Sequence, residues 1–163
     1  MRLSRIFAAV GFALAIAAGA SAGNGNTPQG FRVLDKHNKL VGYSLSDNLV
    51  ARQVNGVWVT FYAQPASGIF DSRAIYVYYL TTDCSGARYV THYSNFSEGT
   101  RVGPTLFYPV DAQVLAPRSQ RVVSGNGEEG LCSLAPGVDG SYGTAGTADV
   151  NSFALETPFK ATP

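Results

Sequence analysis

Residues 49–62, LVARQVNGVWVTFY, carry the local signal that decides the fold. Two runs rich in β-branched and aromatic residues flank Asn55-Gly56, a dipeptide that favours a type I′ turn because both positions adopt positive φ. A two-residue turn sets the register of a hairpin, and side chains alternate across each strand. The side with Val50, Val59 and Phe61 is the more aliphatic and is expected to face the core. The expected pairs are Val54 with Val57, Arg52 with Val59, Val50 with Phe61, Gln53 with Trp58, Ala51 with Thr60, and Leu49 with Tyr62.

Similar short runs recur on both sides of this hairpin, separated by Gly, Asn, Asp, Ser or Pro. They predict strands over residues 31–34, 39–43, 74–80, 87–93, 105–108, 112–115, 121–124 and 131–134. Residues 74–80, AIYVYYL, are apolar or amphipathic on both sides, which predicts a central strand covered on both faces. No stretch of residues 31–134 repeats apolar residues at helical spacing over three turns. The pattern predicts a single all-β domain over residues 31–134, an antiparallel sandwich or open barrel.

The beginning of the chain predicts export. Arg2 and Arg5 precede an apolar run over residues 6–20, and the small residues 20–22 (Ala-Ser-Ala) supply a cleavage site. A membrane-spanning helix needs roughly 20 apolar residues, and much of this run is Ala and Gly. Residues 1–22 are therefore predicted to be a secretory signal peptide, and no membrane span is expected after its cleavage.

Two segments of the mature chain are poor in large apolar side chains. Residues 23–30, GNGNTPQG, are predicted to be a flexible lead-in. Residues 135–163 are rich in Gly, Ala, Ser and Thr and are predicted to be a tail. We favour a loose loop followed by a docked last segment that carries Phe153, Leu155 and Phe159; the alternative is a disordered tail.

Cys84 and Cys132 are the only cysteines in the chain. An oxidising compartment favours joining them in a disulfide. The alternative is a free catalytic thiol, which needs a histidine nearby in space and a means of staying reduced. With export predicted, the disulfide is the preferred interpretation.

The composition excludes several classes of protein. Twelve basic residues against 11 acidic ones give a formal net charge of +1, so no nucleic-acid partner is expected. A hydrophobic content of 45% is too high for a disordered chain. The two histidines lie far apart in sequence and no three-carboxylate calcium loop is present, so no metal or other cofactor is expected.

No catalytic motif stands out in the sequence. Gly-x-Ser-x-Gly is absent, and no Gly-rich phosphate loop joins a strand to a helix. Most acidic residues lie in predicted turns, where turn chemistry explains them. The protein is therefore predicted not to be an enzyme. The alternative is a small cell-envelope hydrolase centred on His92 and a nearby carboxylate.

Aromatic residues supply the remaining candidate site. Tyrosine combines an apolar ring with a polar hydroxyl, so a half-exposed group of tyrosines suits sugars or a protein partner. The predicted binding residues are Trp58, Tyr62, Tyr76, Tyr78 and Tyr89, if the hairpin adjoins the tyrosine-rich sheet. The alternative is that tyrosine, a residue of high strand propensity, fills the sheet.

Four short elements carry a resemblance: DKHNKLVG at residues 35–42, VNGVW at 54–58, TDCSG at 82–86 and LFYP at 106–109. In these elements the chain resembles a loose group of short exported bacterial proteins, rich in β-structure and of uncharacterised function. The resemblance implies an extracytoplasmic β-domain with one disulfide and supplies no catalytic residues. We predict a secreted or periplasmic binding protein for an unknown glycan or protein. A structural envelope protein with no dedicated ligand is a further alternative and predicts a surface without a cleft.

Overall fold

The computed structural model describes residues 30–72, 74–93 and 97–163, which fold into two antiparallel β-sheets. The predicted signal peptide, residues 1–22, and residues 23–29 of the lead-in lie outside the described residues. The first sheet contains β1 (Arg32–Leu34), β2 (Leu40–Ser44), β3 (Leu49–Val54), β4 (Val57–Gln64), β5 (Gly68–Ile69), β8 (Ser97–Glu98) and β15 (Lys160–Thr162). The second contains β6 (Ala74–Tyr79), β7 (Tyr89–Thr91), β9 (Thr100–Val102), β10 (Thr105–Pro109), β11 (Gln113–Leu115), β12 (Ser119–Ser124), β13 (Ser133–Leu134) and β14 (Gly140–Asp149). The predicted all-β class is confirmed.

The strand order places most sequence neighbours side by side. In the first sheet the order is β15-β1-β2-β3-β4-β5, with β8 paired in parallel to β4. In the second sheet it is β13-β12-β6-β7-β14-β10-β9, with β11 also paired to β14. A single 3₁₀ turn, Val150–Phe153, follows β14. Among these residues, no helix has the length and hydrophobicity that crossing a bilayer requires.

Strands β3 and β4 form the hairpin that the sequence predicted. Asn55 and Gly56 have φ values of 49° and 83°, as a type I′ turn requires. All six predicted residue pairs are present. Val50, Val59 and Phe61 are at most 2% exposed, so the aliphatic side of the hairpin faces the core. The predicted register and core face are confirmed.

Strand β10 is buried on both faces and separates two hydrophobic cores. Leu106 and Tyr108 pack in a core with residues of the first sheet, Phe61 among them. Phe107, which lies between them in sequence, packs instead with Val77 and other inward residues of the second sheet. Alternation along one strand therefore supplies both cores, and the continuous apolar run LFY is typical of a strand covered on both faces.

The second sheet is curled into a half-barrel. The curl brings β9 close to the residues that lead into β6, where the Ser72 N–H donates a hydrogen bond to the Arg101 carbonyl at 2.8 Å. Strands β6 and β7 pair only at Tyr78 and Tyr89. Beyond that pair the two strands separate, and an opening into the interior of the curled sheet remains.

The ordered β-structure continues past the predicted boundary at residue 134. Strand β14 falls in the segment predicted to be a loose loop, yet it lies between β7 and β10 in the second sheet. Strand β15 pairs with β1, and both Phe153 and Phe159 are buried in the first core. Residues 135–163 therefore contribute to both sheets rather than forming a separate tail.

Close packing explains why β14 is made of small residues. A Cβ atom on Gly143 would lie 2.5 Å from the Cβ of Pro109. A Cβ atom on Gly146 would lie 2.5 Å from the ring of Tyr108, its partner across the strands. The small side chains of β14 leave space for the large side chains of β10. Residues 140–149 therefore contain few of the large β-branched and aromatic residues that usually indicate a strand.

The predicted disulfide between Cys84 and Cys132 is present. It joins the loop after β6 to the segment that leads into β13. The same loop is held to β12 by Ser119, whose hydroxyl accepts a hydrogen bond from the Cys84 N–H at 3.0 Å and donates one to the Thr81 carbonyl at 2.7 Å. A disulfide is consistent with an oxidising, exported environment.

A buried carboxylate in the turn between β1 and β2 connects this turn to the end of the chain. Asp35 is 0% exposed and accepts hydrogen bonds from the N–H groups of His37 and Lys39, each at 2.8 Å, and of Glu156 at 3.2 Å. The Glu156 side chain also forms an ion pair with Lys36. Burial acts to raise the pKa of Asp35, but the three N–H groups outweigh it and lower that pKa.

Candidate functional site

The aromatic residues predicted as one binding set are divided between the two sheets. Trp58 and Tyr62 lie on β4, whereas Tyr76, Tyr78 and Tyr89 lie on β6 and β7. The Trp58 ring makes an edge contact with Tyr43 of the same sheet, with ring centroids 6.0 Å apart. The β3–β4 hairpin therefore does not bring its aromatic residues to the tyrosines of the second sheet.

The three tyrosines of the second sheet share one face. Tyr78 and Tyr89 are paired across β6 and β7, and Tyr76 lies two residues from Tyr78 on the same side of β6. Tyr142 of β14 joins them, since its ring centroid lies 5.0 Å from that of Tyr78 in an edge contact. Tyr76 is 50% exposed, so the prediction that this strand is covered on both faces is wrong.

A cavity of about 230 Å³ opens where β6 and β7 separate. Tyr76, Tyr78 and Tyr93 line it together with the apolar interior residues Ile75, Val90 and Phe107, and we call it the tyrosine cleft. The remaining lining residues are Ser72, Ala74, Thr91, Glu98 and Thr100. The mouth of a curled sheet is a common place for small ligands, where an apolar wall meets a few polar groups.

Burial influences the phenol groups of this cluster. It raises the pKa of Tyr78, with the Thr91 hydroxyl acting in the opposite sense and neighbouring tyrosine hydroxyls adding to the increase. Burial, and then the nearby Tyr93, also raises the pKa of Tyr142. Both phenols are therefore neutral at physiological pH and can donate as well as accept hydrogen bonds.

Tyr93, Tyr142 and Glu98 were not among the predicted site residues. Tyr93 lies two residues after the end of β7. Its position at the cleft depends on the path of the chain after that strand, which the sequence does not specify. Tyr142 belongs to the segment predicted as a loop, and the Gly- and Ala-rich composition around it gave no strand signal. Glu98 reaches the cleft because β8 pairs with β4 far away in sequence.

His92, the centre of the alternative hydrolase, follows β7. Its backbone N–H donates a hydrogen bond to the Ser141 carbonyl at 3.0 Å. No carboxylate in the described ranges forms an ion pair with its imidazole, and His92 does not line the tyrosine cleft. Within those same ranges, no three His, Cys, Asp or Glu side chains are grouped so that they could hold a metal ion.

Two other cavities are less suited to a ligand. One of about 430 Å³ lies beside Lys36, Glu156 and Arg101. Its charged groups already have partners, because Lys36 pairs with Glu156 and the Arg101 guanidinium donates to the carbonyls of Ile69 and Gly103. The other, of about 460 Å³, is lined by Tyr43 and Trp58 among others. The tyrosine cleft combines more aromatic rings with access to a buried apolar floor.

Comparison of the chain with protein-family models, with curated proteins and with solved structures finds no match. The tyrosine cleft is therefore the feature from which a function is inferred.

Proposed function

We propose that this chain is a secreted or periplasmic, non-catalytic binding protein that holds a glycan in the tyrosine cleft. The observation that carries the proposal is the convergence of Tyr76, Tyr78 and Tyr93 on a cavity with an apolar floor. Sugar rings present an apolar face and a rim of hydroxyl groups, and tyrosine complements both, with its ring and its hydroxyl.

The size and lining of the cleft support a small group as the occupant. A volume of about 230 Å³ lies below the range of drug-sized ligand pockets, so the cleft suits one sugar ring or one side chain of a partner. Ser72 and Thr100 add hydroxyl groups to those of the tyrosines. A glycan is favoured over a protein because most of the polar groups around the cleft are hydroxyls, which match the hydroxyl rim of a sugar.

Two features support export. The predicted signal peptide covers residues 1–22, and the disulfide between Cys84 and Cys132 fits an oxidising compartment. Purified cell wall and extracellular glycans are therefore the first materials to test.

The test is a retention assay with the disulfide-bonded chain of residues 23–163 on insoluble cell wall and a glycan panel. We expect retention of the wild-type protein and its loss in a Tyr76→Ala, Tyr93→Ala double variant whose circular dichroism is unchanged. Soluble fragments are measured in the same samples. Release of fragments would instead indicate a hydrolase, and retention that the double variant preserves would exclude the tyrosine cleft as the site. Capture of a protein with no glycan retained would favour a protein partner.

A further inference from the structure

Glu98 adds a carboxylate to the lining of the tyrosine cleft. Among the described residues that line it, Glu98 is the one charged side chain, and it is half-buried. The neighbouring basic residue Arg101 is turned away: its guanidinium donates hydrogen bonds to the Ile69 carbonyl at 2.9 Å and the Gly103 carbonyl at 2.8 Å. It also lies 4.0 Å from the Asp71 carboxylate. A ligand in the cleft therefore meets the Glu98 carboxylate, and none of the described lining residues carries a positive charge.

The aromatic lining of the cleft also favours a positively charged ligand. The faces of aromatic rings attract cations, and this attraction strengthens when the cation is partly removed from water. Tyr76, Tyr78 and Tyr93 surround the opening, and Phe107 lies at its floor. A carboxylate beside several aromatic rings is a combination that selects cationic groups over neutral or anionic ones.

The backbone that carries Glu98 is held by the first sheet. Ser97 and Glu98 pair with β4, and the Gly99 N–H donates a hydrogen bond to the Thr60 carbonyl at 2.6 Å. Because the backbone is held on a strand, only the torsions of the Glu98 side chain lose freedom when a ligand binds, which makes Glu98 a suitable anchor.

We propose that the sugar held in the tyrosine cleft carries a protonated amine, as a glucosamine unit does. This inference rests on the proposed function, since it names the class of glycan that the cleft selects. The carboxylate of Glu98 and the tyrosine rings bind the ammonium group, while Ser72, Thr100 and the phenols bind the ring hydroxyls. N-acetylation removes the positive charge and so removes the main attraction.

The test compares two probes of equal length, a glucosamine trimer and an N-acetylglucosamine trimer, by calorimetric titration into the disulfide-bonded chain of residues 23–163. We expect the glucosamine trimer to bind at least about tenfold more tightly, as loss of one charge-assisted contact implies. Glu98→Gln keeps the shape of the side chain and removes its charge, so it is expected to abolish this preference. Asp47→Asn, which removes a charge from the exposed turn between β2 and β3 of the first sheet, is the matched control and is expected to leave the preference unchanged.

Each outcome supports or overturns the inference. Equal binding of the two trimers, or a preference that survives Glu98→Gln, would overturn the selection of an amine while leaving glycan binding in the cleft intact. Binding of a lysine trimer in preference to both sugars would overturn the sugar as the source of the ammonium group. If no trimer binds and the cell-wall retention of the double tyrosine variant equals that of wild type, both the inference and the proposed function fail.

Discussion

Removing the disulfide is expected to destabilise the fold mainly through the unfolded chain. Cys84 and Cys132 are 48 residues apart, and closing a loop of this length restricts the unfolded ensemble by about 4 kcal/mol in the chain-entropy model. A Cys84→Ala, Cys132→Ala double variant should therefore lose about that much free energy of unfolding. For the roughly 130 residues that the structure describes, this corresponds to a decrease in Tm of roughly 14 °C.

The assay is reversible urea unfolding of wild type and double variant, followed by circular dichroism. The m-value is expected to increase modestly, because an unconstrained unfolded chain exposes more surface. Ser119→Ala is the control for native contacts, since it removes the hydrogen bond to the Cys84 N–H and leaves the disulfide in place. A loss below about 1 kcal/mol in the double variant would refute loop closure as the dominant stabilising effect.

Three other perturbations test the fold. Leu106→Ala removes a side chain with 0% exposure at the junction of the sheets and is expected to cost about 2–5 kcal/mol in urea unfolding; a loss under 1 kcal/mol would contradict its assigned place in the core. Gly146→Val forces a side chain against the Tyr108 ring and is expected to cost about 1–3 kcal/mol, so a variant as stable as wild type would refute the close packing of β14. The hydrogen bonds to Asp35 lower its pKa; because the folded-state pKa lies below that of the unfolded chain, this stabilisation is complete above about pH 4–5 and is lost as the pH falls further. Thermal unfolding between pH 6 and 3 should show a shallower loss of Tm in Asp35→Asn than in wild type, and equal slopes would exclude the effect.

Local signals predicted the first half of the chain most fully. Asn55-Gly56 determines both the turn type and the register of β3 and β4, since a type I′ turn leaves one way to pair the strands. Strands β1 and β2 and most later strands were predicted within a few residues of their observed ends, because turn residues mark both ends of each run. The cysteine pair was also predictable, since two cysteines in a chain predicted to be exported leave one disulfide to form.

Long-range packing decides what the sequence could not predict. Residues 140–149 read as a loop because Gly, Ala and Thr replace the usual large strand residues, yet Gly146 is small only because the Tyr108 ring lies against it. The composition of a segment reports only its own strand propensity, whereas the neighbouring strand determines how large its side chains can be. For this reason a segment predicted to be a loop is a central strand of the second sheet.

The candidate site was predictable only in part for the same reason. Tyr76 and Tyr78 alternate along one strand, so the sequence could place them on one face. Glu98 and Tyr142 reach the same region from strands distant in sequence, and no local pattern specifies that meeting. Trp58 belongs to the first sheet because the order of strands, which the sequence did not specify, separates its hairpin from β6.

The most direct test of the tyrosine cleft as the ligand site is a matched pair of variants, Tyr76→Ala and Tyr62→Ala. Both tyrosines are 50% exposed, both lie on strands, and only Tyr76 lines the cleft. Affinity for the glycan that wild type retains is measured by titration for each variant. We predict that the affinity falls about tenfold in Tyr76→Ala, the size of effect that removing one aromatic contact has, and is unchanged in Tyr62→Ala. Equal affinities in the two variants, or a loss confined to Tyr62→Ala, would contradict the assignment of the site to the second sheet.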